Sequence, residues 1–134
     1  LISCSPIEHS PADHLIHLPT GPEILTGSTR LKAGTATKLA LNIISTTLMI
    51  REGRIHENLM VDLRATNDKL RDRAARVVST LTGASRDEAF ALLDAAGGSA
   101  KTAIVMHELS LDRSAAEARL RSSSDRLSNA LLRA

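Results

Sequence analysis

The chain has 134 residues, 43% of them apolar, which suffices for one compact domain, or a small domain with an appendage, and excludes disorder by composition. Its formal charge of +2 is close to balance, and cations alternate with acids in runs such as Arg64–Arg76 (RATNDKLRDRAAR), which reads as a solvated helix face rather than a stripe for nucleic-acid phosphates. Phe90 is the only aromatic residue and Cys4 the only cysteine, which argues against base-stacking nucleic-acid modules, aromatic ligand cages, disulfide frameworks and cysteine metal sites, and suits a reducing cytoplasm. No apolar run approaches the roughly 18 residues of a membrane span, and the first residues carry no basic n-region of a signal peptide.

In chain order, Leu1–Ser5 (LISCS) reads as the end of a buried strand, followed by a polar connection over Pro6–Asp13 and a second short strand over His14–Leu18 (HLIHL). Two short strands do not make a stable sheet in water. The chain is therefore expected to be the carboxy-terminal part of a larger protein whose remaining strands lie upstream. His9, His14 and His17 have neither a cysteine partner nor an HExxH spacing, so no metal site is expected.

The most informative stretch is Gly21–Lys38, GPEILTGSTRLKAGTATK. Gly27, Ser28 and Thr29 precede a helix expected from Thr29 to about Glu52, and small hydroxylated residues there either cap its first backbone N–H groups or present them to an anion. Arg30 and Lys32 fall in or near the first turn, where a cation is unfavourable by about 0.3–1 kcal/mol unless negative charge lies close by. Gly34, inside the helix, costs about 1 kcal/mol against alanine and suggests a close approach to the backbone. The spacing matches neither a Walker loop nor GxGxxG. An ordinary capped helix start with solvated cations explains the same residues.

The helix that follows carries Leu39, Leu41, Ile43, Ile44, Leu48, Met49 and Ile50 around most of its circumference, so it needs cover on most sides, from an absent sheet, a second subunit or both. Gly53 stops it. Arg54–Leu63 is a connection with a short apolar core, Leu59–Val61, expected against a sheet edge. Thr66 or Asn67 then caps a helix whose stripe is Leu70, Ala74, Val77, Val78 and Leu81, and Gly83 closes it. The tail is a series of short helices. Ser85 and Glu88 form a capping box before Ala89, Leu92 and Leu93, and Gly97-Gly98 ends that helix. Ser99 starts the next, with Ala103, Ile104 and Leu109 inward. Ser110 or Asp112 starts a third with Ala116 and Leu120, and a last segment, Ser124–Leu132, groups Leu127, Leu131 and Leu132. As a DNA-recognition helix, Ser99–Glu108 offers only Lys101 and His107, too little positive charge.

GPEILTGSTRLKAGTATK closely resembles the signature of the N-acetylmuramic acid 6-phosphate etherase and glucokinase regulatory protein family, phosphosugar-binding proteins built on sugar isomerase (SIS) domains. The resemblance continues through Leu39–Met49 and Asn58–Leu70 (NLMVDLRATNDKL) into the tail, and the etherase branch is the nearer. It implies an α/β fold in the intact protein, a three-layer SIS sandwich with a mostly parallel sheet. This chain would be mostly helical, with one or two remnant strands, a long buried helix and a UBA-like bundle. The implied divisions are residues 1–63 for the end of a SIS domain, 64–83 for a connecting helix and 84–134 for the bundle. The resemblance also implies a cytoplasmic, homodimeric lyase that needs no cofactor and cleaves the D-lactyl ether of N-acetylmuramic acid 6-phosphate. Its acid/base glutamates match no position here, so no catalytic residue is expected in this chain and the chain alone is expected to be inactive. Substrate-binding roles fall on Glu23, Thr26, Gly27, Ser28, Thr29, Arg30 and Lys32. Two other readings stay open: a non-catalytic sugar-phosphate sensor, and a helical interaction or dimerisation module. Neither nucleic acid nor membrane is expected as a partner.

Overall fold

The computed structural model describes residues 1–64 and 66–132; Ala65, within the run read as a solvated helix face, and Arg133 and Ala134, the end of the expected bundle, lie outside the described residues. The chain is mostly helical, with two small sheets, and divides into two units, Leu1–Leu48 and Met49–Ala134.

In the first unit, β1 (Ile2–Ser3) and β2 (Ile16–His17) pair in parallel, Ile2 opposite Ile16. Leu1 and Ser3 carbonyls accept from the Ile16 and Leu18 N–H groups at 2.9 and 2.8 Å. Both expected strands exist, but each is only two residues long. Helix α1 covers Lys32–Arg51, its last three residues lying in the second unit. It begins three residues later than the sequence suggested, because residues 29–31 form a turn in which the Leu31 N–H bonds the Ser28 carbonyl at 3.1 Å. The backbone approach that Gly34 promised comes from within the chain. Its N–H bonds the Thr29 carbonyl at 2.8 Å, and a Cβ at this position would lie 3.3 Å from that oxygen. No residue of α1 is buried. Its apolar side chains are open around the helix, Ile43 at 67% exposure and Leu39 at 56%.

After the end of α1 comes Gly53, buried with φ at 68°, a conformation that a left-handed helix stop requires. Strands β3 (Ile55–His56) and β4 (Leu59–Met60) then form an antiparallel hairpin across Glu57 and Asn58, with Glu57 at φ 53°. The sequence had suggested a connection lying on a sheet edge. Instead the hairpin carries Val61 into a helical core, where it is wholly buried.

Helix α2 (Asp68–Thr82) starts at Asn67, whose side chain accepts from the Leu70 N–H at 2.9 Å, and stops at left-handed Gly83. Ala74, Ala75, Val77 and Val78 are its buried stripe. Helix α3 (Arg86–Ala95) has both halves of the Ser85–Glu88 capping box, with Ala89 and Leu93 buried. Helix α4 (Ala100–Leu109), capped by Ser99, touches α2, α3, α5 and α6 and buries residues on nearly every side, including Ile104 and Val105. A short helix buried on most sides, polar Lys101 and Thr102 included, finds cover here because four neighbours pack on it. Helix α5 (Arg113–Ser122) is capped by Asp112 rather than Ser110 and buries Ala116 and Leu120; α6 (Leu127–Ala130) adds Leu127. Leu131 packs on this core, whereas Leu132 is 66% exposed and does not join Leu127 as expected. Phe90 lies between the guanidinium groups of Arg71 and Arg86, 5.1 and 5.2 Å from its ring centre.

Candidate functional site

The Thr-Gly-Ser-Thr corner is built around Glu23. Its Oε2 accepts from the Lys32 N–H at 2.9 Å and its Oε1 from the Ala33 N–H at 3.0 Å, so this carboxylate closes the start of α1. These bonds, Ala33 first and then Lys32, hold its carboxyl below the usual glutamate range. The negative charge needed beside Lys32 is therefore the protein's own, and it stands nine residues upstream in the chain. Lys32 also donates from Nζ to the Pro22 carbonyl at 3.0 Å. Ser28 and Thr29, the caps the sequence proposed, do not cap by side chain. With Lys32 and Ala33 N–H groups on Glu23 and the Gly34 N–H on Thr29, those three backbone donors at the helix start are already satisfied.

Glu23, Lys32 and the Pro22 carbonyl thus come together, with half-buried Ser28 bonded through its N–H to the Leu25 carbonyl at 3.0 Å. Gly27 turns the corner at φ 81°. Thr26, Thr29 and Arg30 are exposed, and their side chains make no hydrogen bond or salt bridge among the described residues. Ile24 and Leu25 beside them are 85% and 60% exposed. The corner therefore displays three hydroxyls and a guanidinium next to bare apolar surface, a combination suited to an oxyanion on one side and protein on the other.

A second polar feature lies wholly in the second unit, and no sequence signal announced it. A basin of about 690 Å³ sits before α4, lined by Gly97, Gly98, Lys101 and Thr102 together with charged groups from other elements. Lys101 is 7% exposed and donates from Nζ to the Asp125 carbonyl at 2.9 Å. Periodicity places Lys101 on a helix start but gives no hint that α5 and the turn before α6 enclose it. Among the described residues no group of three or more histidine, cysteine or acidic side chains is placed to hold a metal, and no helix is long and apolar enough to cross a membrane.

No family model matches the chain. Among curated proteins, it is 52% identical over 132 residues to the N-acetylmuramic acid 6-phosphate etherase of Prochlorococcus marinus (strain MIT 9303), an alignment covering 97% of this chain and 42% of that protein. It is 59% identical over 103 residues to the N-acetylmuramic acid 6-phosphate etherase of Deinococcus radiodurans, covering 77% of this chain and 34% of that one. The chain belongs to the N-acetylmuramic acid 6-phosphate etherase family. It spans about two fifths of the length of the curated etherases it matches. A similar alignment, 54% identical over 108 residues, relates it to the etherase of Gloeobacter violaceus. The exposed circumference of α1 is thus a feature of a chain whose etherase relatives are more than twice as long.

Proposed function

We propose that this chain is the carboxy-terminal part of a lyase that cleaves the D-lactyl ether of N-acetylmuramic acid 6-phosphate, giving N-acetylglucosamine 6-phosphate and D-lactate in cell-wall amino-sugar recycling. The observation that carries this reading is identity of about one residue in two, over nearly the whole chain, to proteins of that name. In this reading residues 1–63 end a SIS-type α/β sandwich with a parallel sheet, 64–83 connect, and 84–134 form a UBA-like bundle. The uncovered faces of α1 pack on the rest of that sandwich and on a second copy, in a cytoplasmic homodimer.

The corner contributes binding rather than proton transfer. Thr26, Ser28 and Thr29 donate hydroxyls, Gly27 keeps the approach open, and Arg30 and Lys32 complement the phosphate or the lactyl carboxylate. Glu23 borders the same site and fixes its shape. It is a poor general acid or base, because both oxygens accept backbone N–H bonds that stabilise its ionised form. Ether cleavage needs paired acid and base groups, and these come from the part of the etherase that this chain does not span, so the chain alone does not turn over substrate.

A chimera tests this. The matching segment of the Prochlorococcus marinus etherase is replaced by this chain, and D-lactate release from N-acetylmuramic acid 6-phosphate is measured. Release within about tenfold of the parent is expected, with Arg30→Ala in the chimera raising KM more than it lowers kcat. A folded, dimeric chimera without activity would overturn the assignment.

A further inference from the structure

The basin before α4 has a charge arrangement that the proposed reaction does not use. Two of its ion pairs are internally matched: Arg54 with Asp62 at 3.1 Å, and Arg113 with Glu117 at 2.8 Å. What remains is uneven in kind. Lys101, nine-tenths buried, has one hydrogen bond among the described residues, to a neutral carbonyl, and its nearest carboxylate oxygen, Asp62 Oδ1, stands 3.8 Å away on a carboxylate whose other oxygen pairs with Arg54. Arg64 and Arg121 line the same space with no salt bridge among the described residues, as do the carboxylates of Glu52 and Asp125. The backbone is not the source of attraction, because the Gly97 and Gly98 N–H groups are spent on the Asp94 and Leu93 carbonyls at 3.0 and 2.8 Å. Arg113 lies flat against Gly97, where a Cβ would come within 2.5 Å of its guanidinium.

A buried ammonium with unused donors attracts an oxyanion. Unpaired carboxylates across the same space accept from hydroxyls and repel a bare anion. About 690 Å³ falls in the range of small-ligand sites. We propose that this basin binds a hydroxylated anion, of the class of sugar phosphates and sugar acids. Its phosphate or carboxylate lies on Lys101, Arg64 and Arg121, and its hydroxyls donate to Glu52 and Asp125. The proposal is independent of the corner in the first unit and would stand if the etherase reading failed.

Calorimetric titration of the 134-residue chain with glucose 6-phosphate, gluconate and glucose, at constant ionic strength, is the test. Saturable heat from glucose 6-phosphate, gluconate or both is expected, with none from neutral glucose; which anion binds tells phosphate from carboxylate. The exposed-residue double variant Arg64→Ala/Arg121→Ala should weaken binding by about tenfold or more, as should Lys101→Met where it folds. Arg73→Ala, on the exposed face of α2 and outside the basin, should leave it unchanged. No saturable heat from either anion, equal binding of glucose, or affinity that falls with Arg73→Ala but not with the double variant would overturn the proposal.

Discussion

The two units use similar proportions of apolar residue to opposite ends. Every fully buried apolar side chain belongs to the second unit, whereas residues 1–48 bury none completely. The contrast is sharpest between α1 and α2. Helix α2 concentrates Ala74, Val77 and Val78 on one stripe and gives the opposite face to Arg73 and Arg76, so two short neighbours, α3 and α4, suffice to cover it. Helix α1 spreads Leu39, Leu41, Ile43 and Leu48 over all sides, at 52–67% exposure. Burying one such side chain contributes about 1.5–3 kcal/mol, and α1 collects little of it within this chain. Self-sufficiency is therefore a matter of where apolar groups stand around a helix, not of how many there are.

That contrast is open to direct attack. The largest effect is expected from Ile104→Ala, which leaves a cavity among α2, α3, α5 and α6 and should cost the second unit about 2–5 kcal/mol, read by urea unfolding. The equivalent truncation in α1, Ile43→Ala, should change stability by less than about 0.5 kcal/mol in this chain. Equal losses would show that α1 is covered after all. Gly53→Ala comes next, at about 1–3 kcal/mol, since it forces a side chain into φ 68° and a Cβ to within 2.7 Å of Arg126 Cγ. Asn67→Ala removes the α2 cap and should cost about 1 kcal/mol.

The smallest effects are electrostatic and reach both units. Arg76, then Arg86, lower the Asp72 carboxyl; the Ser85 hydroxyl lowers Glu88, the Ala115 N–H lowers Asp112 and Arg113 lowers Glu117. Each is depressed on folding, so its contribution is complete above the ordinary carboxylate range and is lost as pH falls through the folded value. Stability of the second unit should therefore decline between about pH 5 and pH 2. In the first unit the same sign applies to Glu23. The protection of the Lys32 and Ala33 amides from hydrogen exchange, taken relative to the intrinsic rate at each pH, should fall on acidification and, at neutral pH, in Glu23→Ala, with α2 to α5 unaffected by that substitution.

Punctuation was the most legible part of the sequence. Asn67, one of the two caps read for α2, and the Ser85–Glu88 box, Ser99, Gly53 and Gly83 bound their helices, because caps act within three or four residues. The stripe of α2 was legible for the same local reason. The start of α1 was not. Its capping carboxylate, Glu23, lies nine residues upstream and reaches the helix only through the Gly27 turn, so Thr29 looked like the boundary and Lys32 became it. Likewise Val61 seemed part of a connection until the β3–β4 hairpin delivered it to the core.

By itself the sequence determined the family, the order of helices and the need of α1 for cover, since these follow from residue identity and short-range periodicity. Only the tertiary structure decided which anion closes α1, that Lys101 is nearly enclosed, and that four arginines and four carboxylates meet it in one basin. Those are encounters between residues far apart in the chain, and local spacing carries no information about them until packing brings the elements together.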